Sequence, residues 1–348
     1  MSHRTVTPPA RVLVTGVSGQ DGWYLAQRLL DQGHDVFGII RDPAIGPSLT
    51  DELPGLSLLE ADLQDDTALR AAVDAARPDV VFNLAGSTSV ARSWEAPVES
   101  ADVIGVGAVR LLSAAWDHGQ ETGRSVRFLQ ASSAEVFGDP ATVPQTEKTT
   151  HMPITPYGAA KDFAHRMVQV YRHRGMFASA AILYNHESPR RPETFVARKI
   201  TRAVAAIASG STDRLTLGNI DALRDWGYAP DHVEGLLTIM RAETPGDFVV
   251  ATGEARSVRD FVRAAFAVVG IEDWEAHVTI DPALYRPADP RALVGDASRL
   301  RSLGWRPSVT FEELVRIMVA ADLDGRVPAT SSTETAQAGQ SARRTTAQ

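Results

Sequence analysis

Tyr157 and Lys161 form the pair of side chains in this sequence that most clearly points to chemistry. They occur in Tyr157-Gly-Ala-Ala-Lys161, and a separation of four residues places both on one face of a helix. Pro156, directly before them, favours the start of that helix. A nearby ammonium group stabilises a phenolate and lowers the pKa of a tyrosine from about 10. The pair therefore predicts proton exchange with an alcohol that is being oxidised.

This spacing is common by chance, and its place in the chain is what makes it informative. One crossover earlier lies Gln130-Ala-Ser-Ser-Ala-Glu-Val-Phe-Gly138, which continues a predicted buried strand. In open α/β sheets, ligands bind outside the carboxyl ends of the strands. We therefore expect this segment to lie beside Tyr157, next to a bound cofactor.

A glycine-rich loop occurs near the start of the chain. Gly16, Gly19 and Gly22 are spaced G-x-x-G-x-x-G between a predicted strand and a predicted helix. Glycines allow a tight turn and a close backbone approach, so amide groups and the helix N-terminus can hold a pyrophosphate. The spacing alone indicates only a turn, but its position after the first strand of a βαβ series predicts dinucleotide binding. Gln20 and Asp21 belong to the same predicted site.

The end of the second predicted strand bears on cofactor choice. There a carboxylate would bind a ribose 2′-hydroxyl, whereas an arginine would accommodate a 2′-phosphate. The residues present are Arg41 and Asp42, and the position of the strand end favours Arg41. We therefore predict NADP, with NAD as the alternative. Asp62 and the adjacent Leu63 follow the third strand and are predicted to contact the adenine, although Asp62 is equally well explained as an exposed turn residue.

Strands and helices alternate through the first half of the sequence. Hydrophobic patterning predicts strands at 11–15, 35–40, 56–59, 80–84, 126–131 and 178–183, and helices after Gly22 and at 67–76, 102–118 and 156–173. This alternation predicts an α/β fold with a doubly wound parallel sheet of Rossmann type. We expect a flexible N-terminus at 1–10, a dinucleotide-binding domain at 11–184 and a disordered tail at 325–348. Residues 185–324, with a helix at 193–209, are expected to form mostly a smaller substrate-binding part.

Composition excludes several classes of protein. The 348 residues contain no cysteine, which excludes disulfide scaffolds, cysteine-ligated metal clusters and thiol catalysis. The net charge of −8 and the lack of a basic run argue against nucleic-acid binding. No apolar stretch approaches the roughly 20 residues that span a bilayer, and the N-terminus lacks a signal-peptide pattern. We expect a cytoplasmic protein with no membrane, nucleic-acid or metal partner.

Several segments together resemble the GDP-mannose 4,6-dehydratase family, within the extended short-chain dehydrogenase/reductase superfamily. They are residues 15–22, 83–85, 184–191, 195–200, 217–227 and 286–287. The resemblance covers nearly all of the chain before the tail, and the segments after Tyr184 are the more specific ones. It implies that the C-terminal part binds a nucleotide sugar and that the protein forms a homodimer or homotetramer.

The resemblance also implies a role for each matching residue. Ser133 would hydrogen-bond the sugar, Glu135 would be the base at sugar C5, Tyr157 the base at C4, and Lys161 would bind the cofactor ribose and tune the tyrosine. The residues that would hold the GDP part are Asn185, Val196, Lys199, Arg224 and Arg286. The charge balance agrees, because two phosphates in an acidic chain need local cations. Taken singly, however, each cation is more often a solvated surface residue.

The implied reaction converts GDP-mannose to GDP-4-keto-6-deoxymannose by oxidation at C4, elimination of water across C5 and C6, and reduction at C6. Three alternatives remain open at this point. The enzyme could dehydrate another GDP-sugar such as a GDP-heptose, or it could stop at 4-reduction or 4-epimerisation. It could also be a binding module that senses a dinucleotide, against which the complete set of Ser133, Tyr157 and Lys161 argues.

The sequence departs from the family pattern at three places. Ala134 stands where relatives usually carry a hydroxyl or an acid, so Glu135 or water must protonate the leaving hydroxyl. Asp42 replaces a second arginine, and residues 43–55 do not match the family's longer loop, which leaves the cofactor and the oligomeric state open. His186 and Trp226 are interpreted as packing residues.

Overall fold

The computed structural model describes residues 9–325, apart from 213, 286, 287 and 291. The elements of the first half are β1 (Arg11–Thr15), α1 (Gln20–Asp31), β2 (Asp35–Ile40), α2 (Gly46–Glu52), β3 (Ser57–Glu60), α3 (Asp66–Ala76), β4 (Val80–Asn83), α4 (Val90–Glu95), α5 (Pro97–Ser100), α6 (Gly107–Thr122), β5 (Arg127–Ser133) and α7 (Pro156–His173). A π-helix (Ala101–Val106) precedes α6, and short 3-10 helices occupy Pro43–Ile45 and Ala134–Phe137.

The second half continues with shorter strands. Its elements are β6 (Phe177–Leu183), β7 (Asn185–Glu187), α8 (Val196–Ala208), β8 (Leu215–Leu217), β9 (Leu223–Tyr228), α9 (Ala229–Arg241), β10 (Asp247–Val250), β11 (Ala255–Ser257), α10 (Val258–Val268), β12 (Val278–Ile280), β13 (Ala292–Leu293), α11 (Ser298–Ser302) and α12 (Phe311–Leu323). Two further 3-10 helices lie at Trp274–His277 and Pro282–Leu284. Within the described ranges, no helix is both long enough and apolar enough to cross a membrane.

Seven parallel strands form the central sheet, in the order β10-β6-β5-β4-β1-β2-β3. The chain order reverses between β1 and β4, and such a switch point opens a crevice at the carboxyl edge of a sheet. The α/β fold with a Rossmann-like parallel sheet, expected from the alternation of elements, is confirmed.

Helices cover both faces of this sheet and bury its apolar side chains. One core lies under α1, α9 and α11, and the other under α3, α6 and α7. A third core belongs to the smaller lobe, where α8, α10 and α12 pack together beside β9 and its neighbouring strands. The central sheet is therefore covered by helices on both faces, and the smaller lobe adds a separate core.

The predicted boundary at residue 184 does not separate the two parts of the structure. After the first elements of the smaller lobe, the chain returns to the central domain. There α9 packs on one face of the sheet, and β10 pairs with β6. Val249 and Val250 are fully buried there, which explains why this strand adds to the sheet edge. The expected disordered tail and most of the expected flexible N-terminus lie outside the described residues, whereas Ala10 is buried against His34.

Element bounds differ from the predicted ones by a few residues, with two informative cases. The predicted helix at 102–118 is wrong over its first turn, which is a π-helix that continues into α6. Gly105 lies there against α7, and an added Cβ would be 3.0 Å from Phe163 Cδ1. The predicted helix at 193–209 begins later, at Val196, because Phe195 has an extended backbone.

Candidate active site

Helix α7 begins at the site and presents Tyr157 and Lys161 on one face. Thr155 caps the helix by accepting a hydrogen bond from the amide of Gly158 at 3.0 Å, and Pro156 opens its first turn. Tyr157 and Lys161 are both buried, at 7% and 4% exposure. The amide of Tyr157 also donates to Ser93 Oγ at 3.1 Å. The helix start that Pro156 predicted is therefore confirmed, and both side chains face the protein interior.

Ser133 and Glu135 reach the same place from the end of β5. Ser133 closes the strand and caps the 3-10 helix Ala134–Phe137, with its Oγ accepting from the amide of Glu135 at 3.2 Å. The start of α7 packs tightly on this turn, since a Cβ on Gly158 would lie 2.6 Å from the carbonyl oxygen of Glu135. Ser133, Glu135 and Tyr157 are thus brought together by a contact that only glycine permits.

The ionisation of Tyr157 and Lys161 is governed mainly by burial. Burial raises the pKa of Tyr157 to about 12, against a hydrogen bond with Ser133 that favours the phenolate, while the charge of Glu135 adds to the rise. Burial also lowers the pKa of Lys161 to about 8. Lys161 Nζ donates to the carbonyl oxygen of Ala131 at 2.8 Å and lies 5.8 Å from the Tyr157 ring centre. The lowered pKa that the sequence predicts for Tyr157 is therefore wrong, because burial outweighs the groups that favour the phenolate. At neutral pH the lysine is charged and the tyrosine keeps its proton.

The glycine-rich loop connects β1 to α1 at the switch point of the sheet. Gly16 has a φ of +70°, and a Cβ there would lie 2.9 Å from the amide nitrogen of Ala85. A Cβ on Gly22 would lie 2.1 Å from the carbonyl oxygen of Gly16. Helix α1 has no side-chain cap among the described residues, so its first amide groups can bind an anion. This loop fits the pyrophosphate of a dinucleotide.

Polar side chains join the carboxyl ends of β1, β4 and β5 beneath this loop. Thr15 Oγ1 donates to Asn83 Oδ1 at 2.7 Å, and Asn83 Nδ2 donates to Gln130 Oε1 at 2.8 Å. The amides of Leu84 and Ala85 both donate to Thr15 Oγ1 at 3.1 Å. The three strand ends are therefore fixed relative to one another by a buried hydrogen-bonded row.

The residues expected at the adenosine end of the cofactor follow β2 and β3. Arg41 is exposed, whereas the Asp42 carboxylate accepts from the amide of Ala44 at 2.9 Å and so caps the next turn. Asp62 accepts from the amide of Gln64 at 2.9 Å, and Leu63 is buried. Asp42 and Asp62 both hold turns, while Arg41 forms no ion pair with the described residues.

Gln20 and Asp21 extend from the loop towards β7 and the turn after it. Gln20 Nε2 donates to the carbonyl of His186 at 3.1 Å, and Ser188 Oγ donates to Gln20 Oε1 at 2.8 Å. Asp21 Oδ2 and His186 Nε2 form an ion pair at 2.8 Å. Burial opposes ionisation of Asp21, but His186 and Arg191 outweigh it and lower the pKa of Asp21 to about 2. Although it is buried, His186 is thus an ion-pair partner as well as a packing residue.

Two further residues at this site, Glu187 and Arg191, were not identified from the sequence. Arg191 Nε lies 3.1 Å from Glu187 Oε2, and the Arg191 guanidinium stacks 3.7 Å from the ring centre of Phe195. Burial raises the pKa of Glu187, although the charge of Arg191 works against it. Arg191 also favours the ionised form of Tyr157. Both residues lie within the segment 184–191, and that position was the available signal.

The predicted nucleotide-sugar residues lie on three elements of the smaller lobe. Asn185 starts β7 and pairs with Trp226 of β9, while Val196 and Lys199 lie in the first two turns of α8. Arg224 of β9 is buried, where it pairs with Asp289 and donates to the carbonyls of Leu223 and Pro290 at 2.7 and 3.0 Å. Trp226 packs against Phe261 in the lobe core. Arg286 lies outside the described residues.

Comparison with known proteins agrees with this geometry. A family model described as GDP-mannose 4,6 dehydratase matches residues 13–318. GDP-mannose 4,6 dehydratase 1 of Arabidopsis thaliana is 43% identical over 332 residues, which cover 92% of this chain and 91% of the relative.

Two solved structures are similar over almost the whole chain. RMD from Pseudomonas aeruginosa complexed with NADPH has a TM-score of 0.75 at 26% identity, covering 91% of this chain and 100% of that one. UDP-glucose 4-epimerase of Thermus thermophilus in complex with NAD has a TM-score of 0.77 at 25% identity, covering 90% and 98%. With the family match over 13–318 and a relative 43% identical over 92% of the chain, the chain belongs to the GDP-mannose 4,6-dehydratase family.

Proposed function

We propose that this protein converts GDP-mannose to GDP-4-keto-6-deoxymannose with NADP as its cofactor. The observation that carries the proposal is the position of Glu135. It lies two residues after Ser133 and its backbone packs on the start of the helix that bears Tyr157 and Lys161. A reductase or an epimerase needs the tyrosine and the lysine. A carboxylate beside them adds a base that can take a proton from carbon.

The side chains divide the reaction into an oxidation and an elimination. A nicotinamide cofactor bound at the glycine loop would supply reversible hydride transfer, for oxidation at sugar C4 and reduction at C6. Tyr157 acts as a base only as a phenolate, which burial opposes and which Arg191 and Ser133 favour; the Lys161 ammonium is proposed to stabilise it further. That phenolate receives the proton of the C4 hydroxyl, and Ser133 hydrogen-bonds the same oxygen. The C4 ketone acidifies the proton on C5, which Glu135 removes. Because Ala134 has no ionisable group, Glu135 or a water molecule protonates the hydroxyl that leaves C6.

We assign the cofactor site to the glycine loop and the strand ends beside it. Gly16, Gly19 and Gly22, with Gln20 and Asp21, surround the pyrophosphate position, and Asp62 and Leu63 border the adenine. The choice of NADP rests on Arg41, because it is exposed while the neighbouring Asp42 carboxylate is engaged in capping. An available arginine suits a 2′-phosphate, and an engaged carboxylate does not serve a 2′-hydroxyl.

The GDP part of the substrate is proposed to bind along the smaller lobe. Lys199 supplies an ammonium on α8, and Asn185 and Val196 lie on adjoining elements. The Arg224 guanidinium is held by Asp289, so it contributes a fixed rather than a mobile charge. Arg286 is retained from the sequence motif as a further phosphate ligand.

We also propose that the protein self-associates as a homodimer through the α7 side of the central domain. Exposed apolar side chains cluster on elements that pack around α7, and solvent-exposed patches of this kind commonly mark interfaces. They are Trp94, Val98, Val106, Phe163 and Val170. Sedimentation of Phe163→Glu should give monomers where the wild-type protein gives dimers. A wild-type tetramer, or a Phe163→Glu variant that still dimerises, would contradict this assembly.

The activity is tested with purified protein, GDP-mannose and a panel of GDP-, UDP- and dTDP-sugars. We expect GDP-mannose to lose the mass of one water molecule without any added reductant, because the hydride taken from C4 is returned to C6. Product that forms only in proportion to NADPH oxidised would identify a reductase and would refute the proposal. Preferential dehydration of a GDP-heptose would retain the reaction and change the sugar.

A further inference from the structure

We propose that His165 is a positioning residue that fixes the catalytic end of β5 against α7, through a hydrogen bond to Ser132. His165 lies one turn beyond Lys161 on α7, and its Nδ1 is 3.0 Å from Ser132 Oγ. The two residues are 1% and 2% exposed, so neither can contact substrate. This inference rests on the proposed function, because it assigns a second group of residues to the same reaction.

The need for such a bond follows from how β5 is paired. Strand β4 pairs with β5 from Arg127 to Gln130, whereas β6 continues along β5 as far as Ser133. In the described pairing, the last three residues of β5 therefore have sheet hydrogen bonds on the β6 side only. Those three residues include Ser133. A strand end held on one side is less constrained than the strand centre.

Helix α7 supplies contacts to this strand end at regular intervals. Lys161 donates to the carbonyl of Ala131 and His165 bonds Ser132, while Ser133 favours the ionised form of Tyr157. The three helix positions are four residues apart and therefore share one face. Successive strand side chains alternate between faces, so a bond at Ser132 fixes the pleat that aims Ser133.

The orientation of the His165 ring is itself set from the sheet edge. His165 Nε2 lies 3.5 Å from Asp247 Oδ2 on β10, and the same carboxylate accepts from Gln169 at 2.9 Å and from Arg172 at 2.7 Å. Asp247 is acceptor-only when ionised, so we place the ring proton on Nε2. Nδ1 then accepts the hydroxyl proton of Ser132. Burial opposes ionisation of Asp247, but His165 and Arg172 hold its pKa well below the usual carboxyl range.

The Ser132, His165 and Asp247 set has the residue types of a hydrolytic triad but cannot act as one. Both Ser132 and His165 are enclosed in the protein, and no substrate carbonyl can approach the serine oxygen. The constellation therefore holds structure. It fixes the position of Ser133 relative to Tyr157, on which proton transfer depends.

Two substitutions test the roles of the two His165 ring nitrogens separately. The amide of His165→Asn reaches about as far as Nδ1 and keeps a partner for Ser132, whereas that of His165→Gln reaches about as far as Nε2 and keeps a partner for Asp247. We expect His165→Asn to retain wild-type kcat and His165→Gln to lose about 10- to 100-fold, since small misplacements near reacting groups have effects of that size. Ser132→Ala should match His165→Gln, while KM for GDP-mannose changes less than about twofold. Gln169→Ala, which also loses a bond to Asp247 but does not bond β5, serves as the control and should keep wild-type kcat.

A second readout does not require turnover. Amide hydrogen exchange of residues 131–135, measured without substrate, should be faster in His165→Gln and Ser132→Ala than in the wild-type protein and in His165→Asn. Equal exchange in all four proteins, or wild-type kcat in His165→Gln and Ser132→Ala, would overturn the positioning role. A wild-type protein that fails to dehydrate GDP-mannose would instead contradict the proposed function, and the exchange pattern would still decide the role of His165.

Discussion

Asp21 Oδ2 and His186 Nε2 lie 2.8 Å apart, so an ion pair joins the glycine-rich loop after β1 to β7, across 165 positions of sequence. The loop borders the predicted cofactor site, and β7 begins with Asn185, a predicted substrate residue. The pair is largely shielded from water, with the His186 side chain 9% exposed. The two halves of the active site are thus connected by a charge pair whose strength depends on pH.

The first prediction concerns the stability of this pair. The pKa of Asp21 is lowered to about 2, so its contribution is present above the ordinary carboxyl pKa and is lost as pH falls towards 2. Burial opposes the charged form of His186, but Asp21 outweighs it and raises the pKa of His186 above the ordinary histidine value. The contribution of the histidine is therefore lost as pH rises through this raised pKa. We expect Asp21→Asn to cost roughly 1–2 kcal/mol of unfolding free energy between about pH 4 and 6.5, and less on either side. Urea unfolding across pH measures this. A difference that does not vary with pH would contradict it, and Asp35→Asn, at an exposed aspartate, is the control.

The second prediction concerns the buried ammonium of Lys161. Its pKa is lowered by burial to about 8, so keeping the charge at pH 7 destabilises the fold. The wild-type protein should gain stability as pH rises from about 8 to 10, because the unfolded chain then holds more protons. We expect Lys161→Met to be more stable by roughly 1–3 kcal/mol at pH 7, with the advantage shrinking towards pH 10, and to lose turnover by about 10² or more. Lys148→Met, at an exposed lysine, should change neither quantity. Urea unfolding and initial rates provide the test, and a destabilised Lys161→Met at pH 7 would refute it.

The third prediction separates elimination from oxidation. Glu135→Gln keeps the side-chain shape but removes the group that takes the C5 proton. Loss of a general base typically lowers rates by about 10²–10⁴, so reduced cofactor and 4-keto sugar should accumulate on the enzyme. Single-turnover absorbance at the reduced-nicotinamide band, with deuterium uptake at C5 from heavy water, measures this. Near-normal dehydration by the variant would exclude Glu135 from the mechanism.

The fourth prediction concerns cofactor choice. Arg41→Ala should weaken NADP binding by about 10- to 100-fold and NAD binding much less, because a charge-assisted hydrogen bond to the 2′-phosphate contributes roughly 1.5–3 kcal/mol. Asp42→Ala should leave the ratio of the two affinities unchanged, since that carboxylate caps a turn. Calorimetric titration with both cofactors tests the pair of variants. Equal weakening of NADP and NAD in Arg41→Ala would place this arginine outside the 2′ site.

Local patterns in the sequence were sufficient for the class of fold and for identifying candidate site residues. The spacing of Gly16, Gly19 and Gly22 and that of Tyr157 and Lys161 predicted a nucleotide loop and a catalytic helix face, and the structure contains both a tight loop and that face. These features depend on backbone periodicity and on positive φ, which a few neighbouring residues determine. The alternation of strands and helices likewise predicted the parallel sheet.

Only the tertiary structure decided which distant groups meet. The pairing of Asp21 with His186, the bond from Lys161 to Ala131 and the addition of β10 beside β6 join residues that no spacing relates. The buried set of Ser132, His165 and Asp247 is of the same kind, because its three members come from β5, α7 and β10. Burial then shifts the pKa values of Tyr157 and Lys161 in opposite directions, by removing water that the sequence pattern does not show. Long-range packing and desolvation depend on the whole fold, and for that physical reason they could not be inferred from the order of residues alone.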